Sequence, residues 1–227
     1  MGLKGSLRNV STGVIAIPDS AIAHWPHSEG SGSTVEDVVG GFDADITGAS
    51  WVSNSWQDGF ALEYDSDDYT NAGNSSELTG FDQMTVAFTL DLNSPPDSVS
   101  IPIGKTTAGG TGGSDSEYIF QISDSFYFWQ ITTDTDRYRL DLPEFSTDRQ
   151  RVVGWYNGDE MRVYINGDEI DSRSASGTIE DQGRNLTFGG NTDGDRVIDG
   201  VIDNVILADE AWSDKEIEDD YNNQPWS

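Results

Sequence analysis

Strand signals dominate the pattern of apolar and polar positions along this chain. In Met84-Thr85-Val86-Ala87-Phe88-Thr89-Leu90-Asp91-Leu92 the side chains of Val86, Phe88, Leu90 and Leu92 fall on one face of an extended segment, because successive side chains of a strand point to opposite sides. Residues 118–122 and 126–131 read as paired strands around Ser123-Asp124-Ser125. Residues 151–156, 160–165 and 168–173 form a meander, with Asn157-Gly158 and Asn166-Gly167 between its strands. Asn-Gly is a strong hairpin signal because both residues tolerate positive φ. Residues 186–189 and 197–207 supply later strands. One helix stands out: Ser213-Asp214-Lys215-Glu216 spells a capping box, followed by Ile217 and Tyr221 on one face. The expectation is an all-β chain with one short C-terminal helix.

At 227 residues the chain is long enough to bury a core without staples. It has no cysteine, which excludes disulfides. No apolar run approaches the length needed to cross a bilayer, so no membrane insertion is expected. The N-terminus carries Lys4, Arg8 and a five-residue apolar run at 13–17, too short for a secretory signal. Charge changes the picture most. Forty-one acidic residues against twelve basic ones leave a net charge of −29. Such a chain repels itself in dilute buffer, whereas at molar salt the Debye length shrinks to about 3 Å. The acidic excess, with only three lysines, resembles proteins of salt-accumulating halophilic archaea. Nucleic acid is not expected as a partner, since no basic patch is available for phosphates.

Five segments in order carry a resemblance to a known family. They are Trp25…Ser28-Glu29-Gly30-Ser31-Gly32…Val35-Glu36-Asp37…Gly40-Gly41, then Gly59-Phe60-Ala61-Leu62-Glu63-Tyr64-Asp65…Asp68-Tyr69, then Tyr164-Ile165-Asn166-Gly167, then Gly200-Val201-Ile202-Asp203-Asn204-Val205, and finally Ala211-Trp212-Ser213…Glu216-Ile217. Over roughly residues 20–222 the chain resembles laminin-G-like jelly rolls of the concanavalin A type. The resemblance implies a two-sheet antiparallel sandwich, divided here into a jelly-roll domain at 21–227 and an N-terminal arm or attachment segment at 1–20. It also implies a structural Ca²⁺, which takes six to eight oxygen ligands; the matching positions are Glu29, Asp37 and Asp203. Asp65, Asp67 and Asp68, or Asp193 and Asp195, are rival carboxylate groups that also read as solvated turns.

Glucanases of this fold carry a strand-borne carboxylate pair about 5–5.5 Å apart. The near match here, Glu216-Ile217-Glu218-Asp219, falls on the helix. No nucleophile elbow is present, and His24 and His27 flank Trp25-Pro26 as a structural pair, although a His-x-x-His spacing also suits a transition metal. The glycine-rich stretch 104–116 opens no helix and follows no phosphate-loop pattern; it reads as a hairpin tip. No enzymatic activity is therefore expected. Phe126 and Phe128 point one way along their strand and Tyr127 and Trp129 the other. Tyr127, Trp129, Tyr138 and Trp155 are the candidate glycan-stacking rings, with core or subunit-interface packing as the alternative. The functional expectation is a non-enzymatic structural protein of a virion infecting a halophilic archaeon. It would work as a homo-oligomer alongside other virion proteins, with a lectin-like domain turned toward host surface glycans. The alternative is a carbohydrate-binding module of a haloarchaeal protein at the cell surface or outside the cell.

Overall fold

The structure is a computed structural model and describes residues 17–54, 59–107, 115–124, 126–142 and 146–223. Two antiparallel sheets face each other. The first runs β14 (Asp168–Ser174), β13 (Glu160–Ile165), β12 (Gln150–Tyr156), β7 (Met84–Leu92), β16 (Gly200–Ala208), β5 (Gly59–Tyr64) and β4 (Ser50–Asn54). β1 (Ala21–Trp25) pairs with the second half of β16 beside this path. The other runs β11 (Arg137–Leu142), β10 (Tyr127–Thr132), β9 (Ser116–Ile122), β8 (Ser100–Thr106), β15 (Asn185–Phe188), β6 (Tyr69–Gly73), β3 (Ala44–Thr47) and β2 (Thr34–Val35). One α-helix, α1 (Asp214–Asn222), follows the last strand. The expected all-β jelly-roll sandwich with a short C-terminal helix is what forms.

The core lies between the sheets, and the alternation read from β7 points into it: Val86, Phe88, Leu90 and Leu92 are all buried there. Its centre is aromatic. Trp129 of β10 stacks on Phe120 of β9 at 4.6 Å, and Phe88 meets Phe120 edge-on at 5.2 Å. Gly154 of β12 makes this possible, because a Cβ there would sit 2.9 Å from both Phe120 and Trp129. Asn166-Gly167 takes the expected turn with both φ positive, at 55° and 85°. Asn157-Gly158 does not: only Gly158 has positive φ, and the Asn157 side chain accepts the amides of Asp159 and Glu160. A side-chain-capped loop replaces the two-residue turn there.

A second apolar layer covers the outer side of the first sheet. Ala87, Val153, Trp155, Tyr164, Ile206 and Ala208 pack there against Trp212 and Ile217 at the start of α1. Ser213 caps the helix, with the reciprocal Glu216 bond in place. The helix is clamped to the sheet by Arg151, whose guanidinium donates to both carboxylate oxygens of Asp220 at 2.7 and 2.9 Å. Ile17 is buried in this same layer, so the end of the 1–20 segment packs on the sandwich; residues 1–16 lie outside the described residues, as do 108–114 of the glycine-rich stretch. The flanks of that stretch belong to β8 and β9, which pair as a hairpin.

Candidate functional site: a cleft beside the sheet edge

The carboxylate of Asp37 organises one wall of a cleft. Its Oδ1 accepts the amides of His24 and Val39 at 2.8 and 2.9 Å, and its Oδ2 those of Gly40 and Phe42 at 3.1 and 2.9 Å. The Asp37 amide in turn donates to Asp43. A single buried acid thus ties β1 to the whole loop between β2 and β3. The backbone closes tightly at Gly40, where a Cβ would fall 2.3 Å from the carbonyl oxygen of Ile22. Phe42 is then held at the surface, its carbonyl accepting the Trp25 indole N–H at 2.7 Å.

The facing wall is the segment 77–82, which begins in a 3-10 turn at Ser76–Leu78. It is anchored from the other sheet. Tyr118 donates its hydroxyl to the Leu78 carbonyl at 3.0 Å, and the Thr79 hydroxyl donates to the buried carboxylate of Glu117. Glu117 is held in turn by the amides of Gln182 and Arg184 and lies 3.6 Å from the buried Lys105 ammonium. The space between the walls measures about 610 Å³, with Ile22, Phe42 and Phe81 as its apolar surfaces and Glu77, Asp82 and Asp209 at its rim. Both walls are fixed by hydrogen bonds before any ligand arrives, which lowers the ordering cost of binding. No strand pattern marks these residues, although Gly40-Gly41-Phe42 and Gly80-Phe81-Asp82 share a Gly-Phe pair that a loop-directed reading would have noticed.

The sequence-based candidates lie elsewhere. Glu29 accepts the Glu36 amide at 2.6 Å, Asp37 is saturated by four amides, and Asp203 is buried on β16 where its charge acts on Arg149. Among the described residues no group of three or more His, Asp or Glu is placed to hold a metal ion. Among the described residues Glu29, Asp37 and Asp203 therefore do not form one carboxylate cluster. At Asp37 the acceptor capacity is already used by amides of β1 and of its own loop.

The aromatic candidates are also corrected by their burial. Tyr127 and Trp129 belong to the core between the sheets. Trp155 is covered by the Arg162 guanidinium 4.7 Å from its ring centre and donates its indole N–H to the Trp212 carbonyl. None of these three presents a ring face to a sugar. Tyr138 remains half-buried, its hydroxyl bonded to Thr135 and Ser176. The opposite side of the β10 strand is no freer: Phe128 is buried with Ile101 and Ile119, under the Arg139 guanidinium at 3.8 Å.

His24 and His27 are interior groups. The Nε2 of His24 faces the side-chain oxygen of Asn204 at 2.7 Å, and the Nδ1 of His27 faces the Trp25 carbonyl at 2.8 Å. In each ring the nitrogen next to an acceptor carries the proton, and the other is buried with no hydrogen-bond partner among the described residues. Burial pushes both rings down from 6.5 to about 4, against the raising effect of those hydrogen bonds.

Comparison with known proteins places this geometry in context. Residues 64–218 match the family model described as the concanavalin A-like lectin/glucanases superfamily. A comparison with curated protein sequences finds no match. Among solved structures, the binding domain of Paraclostridial Mosquitocidal Protein 1 superposes with a TM-score of 0.70 at 14% identity, over 90% of this chain and 52% of that one. Trypanosoma rangeli sialidase in complex with sialic acid superposes with a TM-score of 0.67 at 17% identity, over 91% of this chain and 33% of the other. The chain thus spans about half of the first structure and a third of the second, and at these identities the likeness is one of fold. With the sandwich formed as described and the family model matched across most of its strands, the chain belongs to the concanavalin A-like lectin/glucanases superfamily.

Proposed function

We propose that this protein is a non-catalytic carbohydrate-recognition module, and that a sugar sits in the cleft between Phe42 and the segment 77–82. The observation that carries the reading is the composition of that cleft: an aromatic and aliphatic wall beside three acidic side chains. A pyranose needs both, an apolar surface for its C–H face and acceptors for its hydroxyls. The cleft also has the size of a small-molecule site. The setting we infer is a high-salt one, on the surface of a virion of a halophilic archaeon or of the cell itself; the net charge of −29 supports it.

A glycan array in molar salt, followed by titration of the best binder against the native protein and Phe42→Ala, tests the reading. Binding that weakens at least tenfold in the variant, with the fold retained by near-ultraviolet dichroism and no release of reducing ends, is the expected result. Absence of any glycan binding, or binding indifferent to Phe42, refutes it.

A further inference from the structure

The cleft carries a charge signature that narrows its ligand. Its rim holds Glu77, Asp82 and Asp209, all exposed, and none of the residues lining it is Lys, Arg or His. The Asp82 carboxylate is partly engaged, accepting the Thr178 hydroxyl at 2.6 Å. Glu77 and Asp209 reach the cleft from different parts of the chain, one from the 3-10 turn and the other from the residue after β16. Among the described residues, four of the basic groups are engaged elsewhere: Lys105 and Arg151 are buried in ion pairs, and Arg139 and Arg162 lie over aromatic rings.

Resting on the carbohydrate reading above, we infer that the saccharide taken by this cleft bears a free amine and no acid group. A carboxylate or sulfate on the ligand would enter a cleft whose lining offers acidic side chains and no cation. Unfavourable charge placement is one means of rejecting a wrong ligand. An ammonium on a hexosamine meets the reverse situation, since Glu77 and Asp209 accept charge-assisted hydrogen bonds from it while the ring packs on Phe42. The same charges that exclude acidic sugars therefore select basic ones.

The test uses three oligosaccharides of matched length: a glucosamine oligomer, its N-acetylated counterpart and a galacturonate oligomer. Each is titrated calorimetrically against the full chain at 0.5 M and 3 M KCl. The expected order is amine, then N-acetyl, then acid, with at least tenfold between first and last and a gap that narrows in 3 M KCl. The double variant Glu77→Gln/Asp209→Asn, its fold checked by near-ultraviolet dichroism, should lose the amine preference and keep N-acetyl binding. Equal or tighter binding of the galacturonate oligomer overturns the charge inference while leaving carbohydrate recognition standing. An amine preference that survives the double variant overturns it too. If none of the three binds and the array is blank, the carbohydrate reading itself falls, and this inference with it.

Discussion

Acidification should destabilise the fold through its two histidines. Each ring is neutral in the folded chain, with one N–H donated to a fixed oxygen and the other nitrogen buried. A second proton would create an N–H with nothing to receive it, in surroundings that disfavour charge. Burial is the main cause of the shift from 6.5 to about 4 in both rings. The folded pKa lies below the unfolded one, so the unfolded chain takes up protons first as pH falls. The contribution is complete above about pH 6.5 and is lost as pH falls toward about 4. At roughly 1.4 kcal/mol per unit, the loss approaches about 3 kcal/mol for each ring, and about 2 kcal/mol of it has gone by pH 5. Carboxylate protonation acts at the same time by relieving the net negative charge, so the histidine effect is isolated as a difference. Urea unfolding of the native chain and of His24→Gln, whose side-chain amide still reaches Asn204, should be followed at pH 7.5, 6, 5 and 4 in constant 3 M KCl. His27 has φ of 55°, so Asn is the replacement there, as it tolerates the left-handed region. Each variant should close on the native chain by about 2 kcal/mol between pH 7.5 and 5. Parallel curves, with a constant offset at every pH, would refute the reasoning.

Removing the helix clamp with Arg151→Met deprives the buried Asp220 carboxylate of the guanidinium and should cost about 3–5 kcal/mol; a double variant with Asp220→Leu should recover part of that loss in the same denaturation assay. Asp37→Ala should lower stability by at least about 3 kcal/mol, since four amides lose a charged acceptor, and millimolar calcium should not raise the melting temperature of the native chain. A calcium-dependent rise present in the native chain and absent from the variant would restore Asp37 as a ligand. The melting temperature of the native chain should climb from about 0.1 M to 3 M KCl as the Debye length contracts from about 10 Å to below 3 Å; a flat or falling curve would remove the salt-adaptation argument.

The strands were legible because successive side chains point to opposite faces, and β7 puts Val86, Phe88, Leu90 and Leu92 on the core side although Ala87 on its other face is buried too. The capping box located α1 for a similarly local reason, since Ser213 and Glu216 satisfy each other's backbone within one turn. The cleft was not legible. Its walls are loops, where no periodicity operates, and its two sides meet only through the sandwich. Asp37 misled for a chemical reason: a carboxylate that will gather four amides looks, in a sequence, like one that will gather a cation. Tyr127 and Trp129 were ambiguous because both sides of their strand are buried, so alternation separated the two pairs of rings without saying which was interior. Trp155 became interior through the docking of Trp212 and α1 and the cover of the Arg162 guanidinium.

The pairing of β16 with β7 contains one residue more than the ladder needs. Asp203 stands opposite Thr89 and Ile206 opposite Ala87, so Asn204 and Val205 share the place across from Phe88. Asn204 absorbs the surplus with a φ of 49°, as a bulge does. Excising it would leave Ile202, Val205 and Leu207 facing inward and Ile206 facing outward, as they do now. The topology would survive, yet the interior would lose two acceptors at once: the side-chain oxygen facing His24 and the carbonyl that receives Arg151 at 2.6 Å. Insertions and deletions are usually judged by whether they displace side chains from their faces. At this position such a judgement would pass a deletion as harmless, whereas its harm would be wholly in the polar wiring between β1, β12 and α1.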